Sequence, residues 1–358
     1  MNREGRATLK ISMKNKHTRW LPMCLAAATL ATFPEGHSLH AQAQAAASPA
    51  IPRMAQPAVP APPSWSTPHL VAYLYTGQQS NYTALSKTIQ FGKITDLYLA
   101  FANPPKCEGV CTQASDMRFS IEGETDADID AIVRSAHVAG IRVLVSIGGG
   151  GGDQRIIQFY NLGLSGSVVA SLQAFVSAHS LDGVDFDIED PSNMGAPYLT
   201  FTSALTAAFH PEGKLVTAAV AKYLQGSMPG AALRQFDLLN IMNYSSLSAA
   251  VGALDYYANQ EKIAPSKLVL GVPFFGSSED DSHEESYKSI LAAYPNAWKV
   301  DLVGGGPLDD GIAFHYVGES TMAQETQLGK KYGGIMFWDL TDDAAAPHSL
   351  LKVIEANF

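Results

Sequence analysis

Three acidic side chains alternate with apolar ones in the segment Leu181–Asp190, which reads LDGVDFDIED. Successive side chains of a β-strand point to opposite faces, so this spacing places Asp185, Asp187 and Glu189 in a row on one face. Carboxylates this close together cannot all stay ionised, so their pKa values must differ. Because buried charges are destabilising unless they are paired, the segment indicates an acid–base site and not a stabilising feature.

The elements that would position this segment recur from His69 onward as short apolar runs with helical patterns between them. Eight runs are predicted strands: Leu70–Tyr75, Ile94–Phe101, Arg142–Ile147, Gly183–Ile188, Leu215–Val220, Leu238–Met242, Leu268–Pro273 and Gly334–Trp338. Strand–helix alternation with Val- and Leu-rich strands is typical of a parallel sheet covered by helices. Eight units predict an α/β fold, a (β/α)8 TIM barrel. A doubly wound open sheet is the alternative, but no G-x-G-x-x-G follows the first strand.

Two connections carry further information. Between the second and third strands, Thr125 is placed to cap a helix and Gly140 to end it. More than fifty residues separate Phe275 from Gly333, which predicts a small insertion between strands 7 and 8, beside the cleft. We interpret its acidic run Glu279–Glu285 as a solvated loop in preference to a metal site.

Active sites of (β/α)8 barrels lie at the carboxyl ends of the strands. Besides the carboxylates, three strand ends are chemically distinctive: the glycine-rich Ser146–Gly150, Met242 with Tyr244, and Trp338. Alone, each has a simpler explanation as a turn or core residue, and the glycine run lacks the Lys-Ser/Thr of a phosphate-binding loop. Together, carboxyls, a phenol and an indole at one barrel mouth would suit a sugar ring and its oxocarbenium-like transition state.

These motifs resemble those of one known family. DGVDFDIE resembles the D-x-x-D-x-D-x-E signature of glycoside hydrolase family 18, the chitinases and endo-β-N-acetylglucosaminidases. Ser146–Gly149 resembles the family's S-x-G-G motif, and Val269–Gly276 and Gly333–Leu340 resemble its seventh and eighth strands. Tyr73 and the pair Ala100-Phe101 fit the first two strands less specifically. The resemblance covers nearly everything from residue 70 to the end.

The resemblance implies a role for each matching residue. Glu189 is the expected general acid, Asp187 would hold the N–H of the substrate's 2-acetamido group, and Asp185 would share a proton with Asp187. Tyr244 would steady the acetamido oxygen, and Trp338 would form the floor under a distorted sugar. The acetamido oxygen, in place of a second carboxylate, would attack C1 and give a retaining, substrate-assisted reaction through an oxazolinium intermediate.

The remaining motif positions have supporting roles. Substrate contacts are expected at Tyr73, Phe101, Gly148 and Met242, and structural roles at Asp182 and Ser146. One position departs from the family: Ser245 follows Tyr244, where most active chitinases have Asp and some have Asn. Serine supplies no charge, so we expect altered pH dependence or weaker substrate distortion. No metal or cofactor is implied.

The amino-terminal residues 1–43 are predicted to be a signal peptide, because six basic residues and the apolar run Leu21–Phe33 precede small residues in an A-x-A-like pattern. The run is too short to span a bilayer, and a lipid anchor at Cys24 is the alternative. The Ala- and Pro-rich residues 44–68 are predicted to be a solvated linker. Residues 69–358 are then the catalytic barrel, secreted or periplasmic and without a membrane anchor.

Charge and cysteine content limit the partners. The chain has a net charge of −10, and the residues after position 43 carry 18 basic and 32 acidic side chains. An acidic body argues against nucleic acid and anionic membranes as partners. Cys107 and Cys111 predict a disulfide in an exported protein, since a zinc site would need further ligands nearby. We expect a monomer.

Three functions fit the sequence. The first is a secreted, endo-acting chitinase that cleaves β-1,4-linked N-acetylglucosamine polymers. The second is an endo-β-N-acetylglucosaminidase that cleaves the chitobiose core of N-glycans. This function is compatible with the small number of tryptophans in the chain. The third is a catalytically silent lectin on the same barrel, although loss of the acid would be expected in that case and Glu189 is present.

Overall fold

A computed structural model describes residues 68–77, 80–104, 117–190, 197–224, 226–304, 308 and 312–358. Eight parallel strands form a closed barrel in chain order: His69–Tyr75, Asp96–Ala100, Arg142–Gly148, Gly183–Asp187, Leu215–Val220, Leu239–Met242, Leu268–Pro273 and Gly334–Trp338. The eighth strand closes the ring by pairing with the first, with His69 beside Gly334. The predicted (β/α)8 barrel is therefore confirmed.

The strand bounds agree with the predicted ones to within two residues, and three strands agree at both ends. The agreement has a simple cause. Strands of a closed parallel barrel are covered on both faces, so they are continuous apolar runs that stand out in the sequence. Nearly every residue of these strands is buried.

Helices cover the outside of the barrel. The α-helices span Tyr82–Leu85, Asp126–Val138, Asp153–Asn161, Ser165–Ala178, Pro197–Phe209, Gly230–Leu233, Leu247–Asp255, Tyr287–Ala293, Glu319–Gly329 and Leu350–Asn357. Thr125 caps the second of these helices as predicted: its side chain accepts from the backbone N–H of Asp128, whose carboxylate accepts from the backbone N–H of Thr125. Gly140 follows this helix in the left-handed region, with φ of 78°.

The insertion between the seventh and eighth strands is present and has a sheet of its own. Its antiparallel strands are ordered Glu284–Ser286, Phe275–Ser277, Phe314–His315 and Leu302–Val303. The sequence did not predict this sheet, because strands of two or three residues are too short to show a period. Glu284 and Glu285 belong to the first of these strands, so the interpretation of the whole acidic run as a solvated loop was wrong for its end.

The core has two parts. The larger lies between the barrel and its helices, and the smaller lies inside the barrel, where it includes Tyr73, Tyr98, Leu144 and Met336. In the part of the chain that the structure describes, no helix is long and apolar enough to cross a membrane. The predicted signal peptide, nearly all of the predicted linker, and Cys107 with Cys111 lie outside the described residues.

Candidate active site

Asp185 lies inside the barrel, fully buried, and accepts four hydrogen bonds. Tyr73 Oη and Ser146 Oγ donate to its Oδ2, at 2.6 and 2.8 Å. Thr217 Oγ1 and Asn240 Nδ2 donate to its Oδ1, at 2.7 and 3.3 Å. The four donors come from four different strands, so the barrel itself encloses this carboxylate.

Two opposing effects act on the pKa of Asp185. Burial raises the pKa, because a charge in the barrel interior loses its hydration, and this effect is the larger. The hydrogen bonds from Tyr73, Thr217, Ser146 and Asn240 lower it, because they stabilise the ionised form. The pKa stays above its usual value, so Asp185 is suited to exchanging a proton with a neighbouring carboxyl group.

Asp187 and Glu189 continue the row of carboxylates toward the barrel mouth. Asp187 is buried at the end of the fourth strand, beside Gly148 on one neighbouring strand and Ala219 on the other. Glu189 lies two residues further on and is only half-buried. Both line a cavity of about 780 Å³, a size typical of ligand sites. The alternation in the sequence thus becomes a column of three acids that ends in solvent.

The glycines beside this column are required by close packing. A Cβ atom on Gly148 would lie 2.0 Å from the backbone oxygen of Asp187, and Gly148 has a φ of +103°. A Cβ on Gly149, which has a φ of +73°, would lie 2.5 Å from the ring of Phe101. Only glycine fits both the backbone angle and the space at these positions.

An aromatic cluster forms the side of the mouth opposite the acids. It consists of Tyr73 and Tyr75 of the first strand, Trp338 of the eighth strand, and Phe101, which directly follows the second strand. Trp338 stacks on Phe101 and Tyr75, with ring centroids 5.3 and 5.7 Å apart, and contacts Tyr73 at 5.6 Å. The eighth strand is four places from the fourth in the ring of eight, so Trp338 faces the carboxylates across the barrel.

Tyr244 follows the sixth strand and lines the same cavity. Its ring packs edge-on against Phe275 of the insertion, 5.4 Å away, and its hydroxyl lies 4.0 Å from the sulfur of Met336. Burial of the phenol, followed by the charges of Asp187 and Glu189, raises the pKa of Tyr244 well above its usual value. The hydroxyl therefore stays protonated and can donate to a substrate oxygen.

The structure brings most of the predicted site residues together around one cavity. Those that line the cavity are Tyr73, Phe101, Asp187, Glu189, Met242, Tyr244, Ser245 and Trp338. Gly148, a predicted substrate contact, is not among the lining residues and packs against the backbone of Asp187. Asp182 lies at the amino end of the fourth strand, where its Oδ2 accepts from Val143 N at 2.7 Å and contacts His137 Nε2 at 2.9 Å. It connects two strands and a helix far from the mouth.

Several cavity residues were missed by the sequence analysis. Asp281 and Glu284 reach the cavity from the insertion, and Tyr223 reaches it from the turn after the fifth strand. Thr217 and Asn240 contact Asp185 from below. The one sequence signal for Thr217 and Asn240 is that each is a polar residue at an inward-facing position of a predicted strand. Among the residues that the structure describes, no group of three or more His, Cys, Asp or Glu side chains could hold a metal ion.

Comparison with known proteins defines the class of protein. The model of the glycosyl hydrolases family 18 matches residues 70–343, which include the barrel, the acid column and Trp338. The chain belongs to this family, and it has the chitinase-like (β/α)8 barrel of its members.

The relatives it matches are chitinases and chitinase-like proteins. A chitinase-like effector of Moniliophthora perniciosa is 29% identical over 124 residues, 34% of this chain and 26% of the effector. Exochitinase 1 of Streptomyces olivaceoviridis is 30% identical over 135 residues, 35% of this chain and 21% of that enzyme. The matches thus span about a quarter or less of these relatives' own length.

Solved structures agree over far more of the chain. A family 18 chitinase from the chitin utilization locus of Flavobacterium johnsoniae superimposes with a TM-score of 0.67 at 25% identity, covering 81% of this chain and 93% of that one. A family 18 chitinase of Cycas revoluta, solved in complex with (GlcNAc)3, has a TM-score of 0.64 at 20% identity, covering 81% and 99%. The latter likeness concerns the fold alone.

Proposed function

We propose that this protein is an exported glycoside hydrolase that cleaves internal linkages of β-1,4-linked N-acetylglucosamine polymers. It would use a retaining mechanism in which the substrate's own acetamido group takes part. The observation that carries the proposal is the acid column: Asp185, held by four donors, lies beneath Asp187 and Glu189 at the mouth of a cavity that faces Trp338. The predicted export rests on the amino-terminal sequence.

The first step would break the glycosidic bond. Glu189 donates its proton to the glycosidic oxygen as the bond from C1 to that oxygen breaks, and the acetamido oxygen bonds to C1 from the other face. Asp187 accepts the acetamido N–H and stabilises the positive oxazolinium ring. Asp185 and Asp187 share one proton, so that Asp187 can carry the negative charge when it is needed.

The second step would release the product. The Glu189 carboxylate removes a proton from water, the water oxygen bonds to C1, and the bond from C1 to the acetamido oxygen breaks. Two displacements at C1 restore its original configuration, and Glu189 regains the proton that it donated. Tyr244, which stays neutral, donates to the acetamido oxygen during both steps, and Trp338 supports the sugar ring from below.

Each of the two other candidate functions is favoured by one observation. Among the described residues, Tyr75 and Tyr223 are the only strongly exposed aromatic side chains. So few exposed rings favour a short cleft, and a short cleft is compatible with an endo-β-N-acetylglucosaminidase. A silent carbohydrate-binding protein is favoured by the relative that is named a chitinase-like effector. The intact column with Glu189 argues for catalysis.

The experiment compares hydrolysis of chitin oligosaccharides with release of glycans from a high-mannose glycoprotein. The wild type, Glu189→Gln and the control Glu212→Gln, an exposed residue outside the cavity, are assayed together. We expect cleavage of the oligosaccharides, a loss of about 10²- to 10⁴-fold in Glu189→Gln and none in the control. Cleavage of the glycoprotein alone would favour the second function. Binding of oligosaccharides without cleavage would favour the third.

A further inference from the structure

The side-chain amide of Asn103 holds the backbone of Gly148 at both of its polar groups. Asn103 Nδ2 donates to the Gly148 oxygen at 3.0 Å, and Asn103 Oδ1 accepts from the Gly148 N–H at 3.1 Å. Asn103 belongs to the short strand Ala102–Asn103, which follows the second barrel strand. An amide that donates and accepts at the same time is fixed in orientation as well as in position.

The end of the third strand needs this amide because the barrel ladder stops short of it. Pairing between the second and third strands ends where Leu99 lies beside Val145, three residues before Gly148. On its other side, Gly148 is still paired with Asp187 of the fourth strand. A buried backbone N–H or C=O that loses its strand partner must find another, and Asn103 takes the place of the missing strand.

The next peptide group transmits this constraint to Asp187. The N–H of Gly149 donates to the backbone oxygen of Asp187 at 2.9 Å. The same oxygen lies so close to Gly148 that a Cβ there would be 2.0 Å from it. Asn103 thus holds the end of the third strand on one side, and this strand end holds Asp187 on the other. A shift of the Gly148 backbone would therefore move Asp187, and with it Glu189 two residues further on.

The glycine run leaves room for the segment that carries Asn103. A Cβ on Gly152 would lie 2.5 Å from Asn103 Nδ2 and 2.2 Å from the Gly148 oxygen. A Cβ on Gly149 would lie 2.5 Å from the ring of Phe101, two residues before Asn103. Side chains at these two positions would push the segment away from the end of the third strand.

The same segment also contacts the aromatic side of the mouth. Phe101 stacks on Trp338, with ring centroids 5.3 Å apart. Residues 101–103 therefore contact Trp338 at one end and, through the glycine run, the backbone of Asp187 at the other. Asn103 is not one of the described residues that line the cavity. It can affect the reaction only through the residues that it holds.

We propose that Asn103 is a positioning residue for the hydrolysis, which holds the end of the third strand so that Asp187 and Glu189 stand at the correct distance from Trp338. The inference rests on the proposed function, since it assumes that these acids act on a sugar held by Trp338. A displacement of about 1 Å at a reacting group can slow a reaction about 10²-fold. Contacts to the rest of the substrate stay in place, so loss of the amide lowers kcat and leaves KM nearly unchanged.

Two substitutions of similar size test the two bonds of the amide. Asn103→Asp keeps an acceptor for the Gly148 N–H but places a second oxygen against the Gly148 oxygen, which repels it. Asn103→Leu removes both bonds. Asn357→Asp is the matched control at the end of the last helix, because the amide of Asn357 donates to the Val353 oxygen at 2.8 Å and accepts from Gln327 Nε2 at 3.3 Å.

The assay measures kcat and KM for chitin oligosaccharides as a function of pH, together with the melting temperature of each variant. We expect both Asn103 variants to lower kcat about 10- to 100-fold, with KM within about threefold of the wild type, and the control to keep both values. The alkaline limb of the kcat profile should also move to lower pH. The carboxylates of Asp187 and Glu189, when held less closely, repel each other less, so Glu189 ionises more readily.

The pH profile separates positioning from stability. Loss of folded protein lowers the whole kcat profile without moving its limbs, whereas displaced acids move the alkaline limb. Asn103→Asp keeps one of the two bonds, so it decides the question if Asn103→Leu does not fold. A lower kcat with unmoved limbs would assign the loss to stability and overturn the positioning role.

The remaining outcomes separate the inference from the proposed function. A wild type that hydrolyses the oligosaccharides, with Asn103 variants that match it in kcat and in pH profile, would overturn the role of Asn103 and leave the proposed function standing. A wild type that cleaves no N-acetylglucosamine chain would overturn the proposed function itself, and the inference with it.

Discussion

The hydroxyl of Tyr73 lies 2.6 Å from Oδ2 of Asp185, a hydrogen bond between residues 112 positions apart in the sequence. It joins the first strand of the barrel to the fourth through the barrel interior. The bond is short because the acceptor is a buried carboxyl group that has lost its water.

Tyr73→Phe removes this donor without changing the shape of the ring. Hydrogen bonds to charged groups contribute about 1.5–3 kcal/mol, so we expect kcat/KM for chitin oligosaccharides to fall about 10- to 100-fold. Because the donor stabilises ionised Asp185, its loss raises the pKa of Asp185 and moves the acidic limb of the kcat/KM profile to higher pH. The control is Tyr82→Phe, another buried tyrosine, whose hydroxyl donates to the backbone oxygen of Leu74. An equal pH shift in both variants would contradict the prediction.

Gly148→Ala tests whether the glycine run is a packing requirement. The new Cβ would meet the backbone oxygen of Asp187 at 2.0 Å, so the third and fourth strands must separate at the mouth. We expect a fall in the melting temperature and a loss of most activity. Gly151→Ala is the matched control, because its φ of +77° is also positive but nothing lies within 4 Å. It should be destabilised by about 1 kcal/mol only. Similar losses in both variants would mean that backbone strain, not the clash, is responsible.

Arg142→Met breaks an ion pair at the opposite end of the barrel. Arg142 Nε and Nη2 donate to Oδ1 and Oδ2 of the fully buried Asp96, at 2.6 and 3.0 Å. Burial alone would raise the pKa of Asp96, but hydrogen bonds from His69 and Arg142 hold the pKa below its usual value. Removing the arginine should lower the free energy of unfolding by about 3 kcal/mol at pH 7.

Denaturant unfolding at several pH values checks the Arg142→Met prediction. A lowered pKa contributes stability above the pKa of the unfolded state, and this contribution is lost as the pH falls through the folded pKa. The difference between wild type and variant should therefore shrink in acid. Arg118→Met, which breaks the exposed pair with Asp126, should change stability by less than about 1 kcal/mol. A loss that persists unchanged in acid would exclude the ion pair as its cause.

Burial of Glu325 should make the folded protein less stable as the pH rises, which is opposite to the effect of the Asp96–Arg142 ion pair. Neither of its carboxylate oxygens has a hydrogen-bond partner among the described residues, and burial, followed by the charge of Asp301, raises its pKa to about 8 from 4.5. The folded protein then holds a proton that the unfolded chain has lost, so stability falls as the pH rises from 4.5 to 8. Glu325→Gln should remove this slope and add up to about 4 kcal/mol at pH 8. Melting temperatures of the wild type, Glu325→Gln and the control Glu212→Gln at pH 4.5, 6 and 8 test this prediction. An unchanged slope in Glu325→Gln would refute the assignment.

Ser245→Asp introduces a negative charge at the position where the motif that the sequence resembles has Asp. Ser245 lines the same cavity as Glu189, and a second negative charge there disfavours ionisation of the general acid. We expect the alkaline limb of the kcat/KM profile to move to higher pH. Ser245→Asn adds a side chain of similar size without the charge and should leave the limb in place. A shift in both variants would point to shape and not to charge.

Sequence reasoning found the strands of this protein because each barrel strand is buried on both faces and reads as an uninterrupted apolar run. It found the acid column for a related reason: alternation with a period of two is a local property, visible within ten residues. The glycine run was recognised as a distinctive strand end, and the structure shows why glycine is needed there: the backbone oxygen of Asp187 and the ring of Phe101 lie too close for a side chain.

The sequence by itself determined the order of the strands, the three acids on one face and the family to which the chain belongs. Only the tertiary structure decided what surrounds them: the four donors to Asp185, the antiparallel sheet of the insertion and the amide of Asn103 against the backbone of Gly148. The physical reason is range. Periodicity and turn chemistry act between neighbours in the chain, whereas the environment of a buried carboxylate depends on barrel closure and strand register, which bring together residues that no local pattern connects.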